Sequence, residues 1–224
     1  MKQIRNYLIL LIPVMLYIGY AATEQYIFRA LIIPFLILVA SGIIIFRKMP
    51  FKDWVAVLGA FLLSVFGDLF LFMDGQKHSM LFVTGVGLYL IAHVCYIVFS
   101  LQRGRARHRL MILLTTFFVL YFIFWLHPSP YMQGWPLQTA VLLYILISCL
   151  SVSAAAGIKI GSRGMDKTAK VLVVCGISSL LFSDFLISLH NFLHINTGYV
   201  LMLPTFYLSQ ILVTAAMIHQ SDRS

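Results

Sequence analysis

Acidic side chains are scarce in this chain: seven among 224 residues, against 16 lysines and arginines. Charged residues of both signs make up only 10% of it, where soluble domains run at about 25%. So little charge cannot cover a globular surface, and a soluble enzyme is excluded first. Disorder is excluded by the 61% of hydrophobic residues, because such a composition buries itself. Cysteine is also sparse. Cys95, Cys149 and Cys175 are far apart, each within an apolar run. They read as buried thiols rather than as a disulfide framework or a zinc site. What remains is an all-α, polytopic membrane protein. The net charge of +9 is no nucleic-acid signature until the positions of the charges are known, and no nucleic-acid partner is expected.

Breaks at charges and at Gly/Pro clusters leave eight apolar segments: 7–22, 27–46, 54–73, 79–100, 109–126, 136–157, 169–190 and 199–219. Each approaches the roughly 20 residues a spanning helix needs, and the runs are too long for barrel strands. With the N-terminus in the cytoplasm, 14 of the 16 basic residues fall on the inner side. They are Lys2, Arg5, Arg47, Lys48, Lys52, Arg103, Arg105, Arg107, Arg109, Lys159, Arg163, Lys167, Lys170 and Arg223; only Arg29 and Lys77 lie outside. This is the positive-inside pattern for eight spans with both termini cytoplasmic. The basic loops also offer a grip on anionic lipid heads. Trp54, Trp125 and Trp135 fall at span ends, as an interfacial belt requires. The first segment has a second reading, as a signal peptide cleaved near Gly19-Tyr20-Ala21, which would leave seven spans. The expectation is one integral multi-pass domain over residues 1–224, in the cytoplasmic membrane if the source is bacterial.

The chain carries traces of a duplication. Phe66-Gly67-Asp68 in the third span aligns with Phe182-Ser183-Asp184 in the seventh. The next span has Tyr89 and His93 in one half, Tyr207 and Gln210 in the other. The three offsets, 116 between the aspartates, 118 between the tyrosines and 117 from His93 to Gln210, are nearly equal. Two four-helix halves, about 1–105 and 106–224, would then face the same way, as a parallel repeat.

Five of the seven acids lie in loops or at ends; only Asp68 and Asp184 fall inside spans. A carboxylate at mid-membrane costs on the order of 3 kcal/mol and persists where it faces protein or a wet cavity, which makes a functional role the default. The plainer reading is polar glue between helices, although Ser, Thr or Asn usually serve there. The two acids enter their spans to the same depth, so they suit one apolar cavity. Two carboxyls sharing such a site divide into a protonated acid and an ionised partner. Other polar residues follow helical spacing around them: Gly85, Tyr89, His93 and Tyr96 on the fourth span, and Tyr207, Gln210 and Thr214 on the eighth. Ser64 and Ser188 sit one turn from Asp68 and Asp184, and Tyr144, Ser148 and Ser151 mark a face of the sixth span. Singly, each has a structural explanation as a helix–helix hydrogen bond. His93 with the two aspartates is a conceivable metal set. No His-x-x-x-His or Glu-x-x-His spacing accompanies it; His78, His127, His190 and His194 lie on the outer rim, and His108 and His219 at the inner side. No metal and no other cofactor is expected.

At these residues the sequence resembles the YhhN-type lysoplasmalogenase family of eight-span membrane proteins. The matching pieces are Gly67-Asp68, Gly85-x3-Tyr89-x2-Ala92-His93-x2-Tyr96, Phe182-Ser183-Asp184 and Tyr207-x2-Gln210-x-Leu212. Their order and spacing carry the likeness over nearly the whole chain. One departure concerns the second span, where the family often has a basic residue just before a proline. Here Ile33 precedes Pro34, and Arg29 stands about one turn earlier. The resemblance implies hydrolysis of the vinyl-ether bond of lysoplasmalogens to a fatty aldehyde and a glycerophospho-base. It implies Asp68 and Asp184 as catalytic groups, with Tyr89, His93, Tyr207 and Gln210 orienting the acids and water, and Ser64, Ser188 and Tyr96 nearby. The partners would be a lysophospholipid substrate and membrane lipid.

Two other classes use paired intramembrane acids. An intramembrane aspartyl protease carries Gly-x-Gly-Asp and Tyr-Asp on adjacent spans. Here Val65-Phe66-Gly67-Asp68 lacks the first glycine, Ser183 precedes the second aspartate, and Leu203-Pro204-Thr205 is not the family's third motif. A lipid or proton-coupled transporter suits a parallel repeat, but would show matched Gly/Pro interruptions in both halves. Pro13 and Pro34 have no counterparts in spans five and six.

Overall fold

A backbone in hydrocarbon must bond to itself, and long apolar runs do so as helices. The computed structural model describes residues 7–46, 51–74, 80–132, 134–161, 164–195 and 197–221. Among the described residues, eight α-helices of more than one turn follow one another: α1 Leu11–Thr23, α2 Tyr26–Phe46, α3 Phe51–Asp74, α4 Met80–Leu101, α5 His108–Tyr121, α6 Trp135–Ala156, α7 Lys167–Leu193 and α8 Thr197–Ser221. No strand occurs among the described residues. Seven helices, α2 to α8, are long and apolar enough to cross a membrane, counting for α5 the turn that extends it to Leu126. This is the architecture of an integral multi-pass membrane protein.

The first apolar segment departs from the expected continuous span. Residues 9–10 form a turn, and the regular helix α1 has only 13 residues. Pro13 explains the break, since it has no N–H for the Ile9 carbonyl and its ring crowds that oxygen. Thirteen residues rise about 20 Å, short of a hydrocarbon core of about 30 Å. Glu24 then turns the chain in the left-handed region, with φ of 56° and its N–H on the Tyr20 carbonyl.

The most extensive helix contacts are α3 with α4 and α7 with α8. Glycine allows the first. A Cβ on Gly85 would lie 2.9 Å from Leu71 Cγ and 3.1 Å from the Gly67 carbonyl oxygen. The second pair meets at aligned positions: Ser183, the counterpart of Gly67, donates its hydroxyl to the Met202 carbonyl at 2.9 Å. Phe66 and Phe182, also aligned, both point outward and are each 46% exposed.

Three placements correct the sequence reading. Trp54 is not in an interfacial belt; it is 2% exposed and packs on Phe99 beneath the Arg103 guanidinium. Arg103 is itself buried, stacked 4.1 Å from the Phe99 ring. A guanidinium is weakly hydrated and settles on aromatic faces, which a charge tally cannot register. Cys175 lies on an exposed face of α7, whereas Cys149 is buried and Cys95 intermediate. Trp125 and Trp135 are exposed.

Candidate functional site

Helix geometry sets the depth of the two acids. Phe51 to Asp68 and Lys167 to Asp184 are both 17 residues, about 25 Å of rise from the start of each helix. Both aspartates line one cavity of about 340 Å³, together with Arg29, Tyr89, His190 and Asn191. Their surroundings differ.

Asp68 is held by a permanent cation. Arg29 of α2 pairs with its Oδ1 through Nη2 and reaches Oδ2 through Nε at 3.3 Å. The side chains are 11% and 10% exposed. Tyr207 of α8 closes the group. Its hydroxyl accepts from Arg29 Nε at 3.2 Å and approaches Asp68 Oδ2 at 3.5 Å. Three helices thus meet on one carboxylate. Guanidinium cannot be deprotonated here, so Asp68 has a fixed cation as its partner.

Asp184 is held by a titratable neighbour. His93 Nε2 lies 3.0 Å from its Oδ2, and His93 Nδ1 lies 2.9 Å from Ser151 Oγ. The Ser151 hydroxyl donates to the Ser148 carbonyl at 2.8 Å. Its oxygen therefore accepts from His93 Nδ1–H, and a neutral ring then has Nε2 as an acceptor. A hydrogen bond across the 3.0 Å between Nε2 and Oδ2 then needs a proton between them, on the acid or on the imidazole. Tyr144 packs edge-on against His93, at 5.5 Å between ring centroids, with its hydroxyl beside Asp184.

The remaining sequence candidates divide. Tyr89 is buried, lines the cavity, packs edge-on against Phe206, and its hydroxyl has no hydrogen-bond partner among the described residues. Tyr207 belongs to the Arg29–Asp68 group. Tyr96 and Gln210 bond each other, hydroxyl to Oε1 at 3.0 Å, and neither lines a cavity beside the aspartates. Ser64 turns back on its own helix, donating to the Ala60 carbonyl at 2.8 Å. Ser188 bonds Tyr121 at 2.9 Å and faces a second cavity.

That second cavity, about 290 Å³, is almost wholly apolar and lies between α4, α5, α6 and α7. Asp184, Tyr144, Ser148 and Ser188 are the polar residues of its wall, apart from Tyr89 and Tyr121. Leu71, Phe82, Tyr89, Asp184 and Ile187 line both cavities, so the two adjoin and Asp184 stands at their boundary. Among the described residues no three His, Cys, Asp or Glu side chains come together as a metal site.

The sequence reading counted Arg29 among outer-side charges and weighed it as a stand-in for the family's basic residue before the proline, but did not foresee its pairing with Asp68. Its one signal was a lone basic residue inside an otherwise apolar span. His190 and Asn191, near the C-terminal end of α7, also line the polar cavity. Tyr144, Ser148 and Ser151 were visible as a polar helix face beside the acids, but the bond from Ser151 to His93 was not.

The model of the YhhN family matches residues 24–217, from the residue after α1 into the last turns of α8. No curated protein and no solved structure matches the chain.

Proposed function

The chain belongs to the YhhN family, and from that premise we propose that it is a membrane hydrolase cleaving the vinyl-ether bond of alkenyl lysophospholipids. One observation carries the reading: Asp68 and Asp184 line the same cavity, yet one is tied to a fixed cation and the other to a proton-sharing imidazole. Vinyl-ether hydrolysis needs that asymmetry. It requires one group that gives up a proton and one that keeps its negative charge.

Asp184 is the acid. Its proton goes to the β-carbon of the alkenyl group, whose double-bond electrons form the new C–H bond. The positive charge passes to the adjacent carbon and ether oxygen as an oxocarbenium ion. Asp68, held ionised by Arg29, stabilises that cation. Water then adds to the cationic carbon and releases a proton, which restores the Asp184–His93 pair. The hemiacetal collapses to a fatty aldehyde and a glycerophospho-base. One water is consumed and the acid is regenerated. A glycosidase divides two carboxyls in the same way around a similar cation. Burial favours the chemistry, because fixed groups replace bulk water around the charge.

The proposal takes the halves of the bundle as a parallel repeat, with the basic loops in the cytoplasm and the site toward the outer leaflet. The aligned contacts Gly67–Gly85 and Ser183–Met202 support the repeat.

The test is mass spectrometry of products after the purified protein meets a panel of alkenyl, alkyl and acyl lysolipids. Aldehyde release from the alkenyl members alone is the expected result. Flux of intact lipid into proteoliposomes without covalent change would replace this reading with transport.

A further inference from the structure

We infer that a single hydrocarbon chain reaches the apolar cavity sideways from the bilayer, through a portal between α4 and α6 framed by Gly87 and Ala140. The inference rests on the lipid-hydrolase reading and adds where the chain lies and how it enters.

The cavity is not sealed within the bundle. Val83 and Leu143 belong to its wall and are nevertheless 50% and 49% exposed. They sit on α4 and α6, so the opening lies between those helices. Gly87 and Ala140 line the same stretch, and both are small. The two glycines of α4 have opposite surroundings. At Gly85 a side chain would strike Leu71 at 2.9 Å, whereas at Gly87 it would meet nothing within 4 Å. Helix packing therefore explains Gly85 and leaves Gly87 unexplained. A glycine weakens a helix interior. An open passage gives Gly87 a reason, because any larger residue there would project into the opening.

The inner end of the cavity is polar. The Ser148 hydroxyl is buried, its residue 1% exposed, and it stands in the wall with Asp184 and Tyr144. Beyond Asp184 lies the polar cavity with Arg29 and Asn191. A ligand filling both spaces is apolar along one arm and polar along the other, with the junction at the carboxyl. In a membrane the outer mouth of the apolar arm faces acyl chains, so its occupant is hydrocarbon. Tyr121 and Leu126 complete part of the cavity's wall. The π-helical turn Phe122–Leu126 after α5, in which His127 N–H bonds the Phe122 carbonyl at 2.8 Å, widens the helix. Tyr121 and Leu126, five residues apart, thereby come to face the same cavity.

The experiment uses the full chain in lipid nanodiscs and a 1-O-alkyl lysophospholipid with a mid-chain diazirine. The probe has no vinyl-ether bond to hydrolyse, so the labelling map stands apart from turnover of an alkenyl substrate, which is measured separately. Labelled peptides from residues 83–90 and 137–144 are expected. Excluding a couple of methylenes from an apolar site changes affinity by about tenfold, so the Gly87→Leu/Ala140→Leu protein is expected to label about tenfold less. Labels confined to α2 and α8 would overturn the portal, as would labelling of the folded double variant at the wild-type level. Should the double variant not fold, the wild-type map decides alone. Loss of alkenyl turnover with an intact map would instead remove the hydrolase reading and keep the chain site.

Discussion

Asp184 Oδ2 lies 3.0 Å from His93 Nε2, with the Ser151 hydroxyl fixing the far side of the ring. A proton held between these atoms is available for transfer, and the serine, by accepting from Nδ1–H, leaves Nε2 to face the acid. Replacing His93 by Gln keeps a polar side chain but removes the group that shares the proton. Turnover of an alkenyl lysolipid is expected to fall about 10²- to 10⁴-fold. Ser151→Ala is expected to lose less, since His93 and Asp184 both remain. Aldehyde release by the two folded variants measures this. A His93→Gln protein at the wild-type rate would take the imidazole out of the proton path.

The two carboxyls have separate duties, so neither substitutes for the other. Asp68→Asn and Asp184→Asn are each expected to lose turnover by at least about 10²-fold, with folding retained in detergent because the amide fills the same space. The variants differ in origin. Asp184→Asn has no acid to deliver, whereas Asp68→Asn leaves Arg29 beside the developing cation. Normal turnover by either protein would end the two-acid mechanism.

Arg29 provides a stability test of the other carboxyl. Removing one partner of a buried ion pair leaves the second charge uncompensated, at about 3–5 kcal/mol. Arg29→Met is expected to lower detergent unfolding stability by an amount of that order and to abolish turnover. The double variant Arg29→Met/Asp68→Leu removes both charges, so it should regain much of the stability and none of the activity. Chemical unfolding of the wild type, Arg29→Met, Asp68→Leu and the double variant checks the cycle. A double variant no more stable than Arg29→Met would show that the pair is not what Asp68 depends on.

How far the site was legible follows from how each residue signals itself. Asp68 and Asp184 stand out because charge is costly in an apolar run. Their equal depth could be counted along the chain, and the spacing of Tyr89 and His93 put both on one face of α4. Arg29 was misassigned because it is the fourth residue of α2, where a charge reads as interfacial; only packing shows it turned inward onto Asp68. Tyr96 and Gln210 shared the stripe with His93 and Tyr207 but spend their polar groups on each other. Helical spacing gives a face, not a partner. The break before α1 was readable from Pro13 in principle, but average hydropathy over 7–22 hides a single missing N–H. The π-helical turn at Phe122–Leu126 leaves no mark in apolar periodicity, since every residue within it is apolar.

The α3–α4 crossing makes a packing prediction. A side chain on Gly85 would meet Leu71 at 2.9 Å and the Gly67 carbonyl at 3.1 Å. Backbone cannot move aside cheaply, so Gly85→Leu must part the helices, at about 1–3 kcal/mol. Tyr89, whose ring lies against Gly67, would shift with them, and turnover should fall with stability. Gly87→Ala touches nothing and is expected to raise stability by about 0.5–1 kcal/mol through helix propensity. Thermal unfolding in one detergent compares the two. Equal destabilisation by both would mean the crossing is not as close as described.

The position of the first proton transfer is the sharpest chemical test, because the proposed acid delivers to carbon rather than to oxygen. In D₂O, the exchangeable proton between Asp184 and His93 becomes deuterium. Aldehyde trapped as it forms should then carry one deuterium on the carbon next to the carbonyl. The bond that breaks joins the alkenyl carbon to oxygen, so the glycerol hydroxyl keeps its original oxygen and H₂¹⁸O leaves that product unlabelled. Carbon protonation also makes the first step sensitive to isotope, so turnover in D₂O should slow. ¹⁸O in the glycerophospho-product would mean that water attacks from the glycerol side; the deuterium alone does not separate the routes, because an enol released that way also takes a deuteron on carbon as it becomes aldehyde. Asp184 would then have to protonate a leaving oxygen, and the oxocarbenium ion that Asp68 is proposed to stabilise would never form.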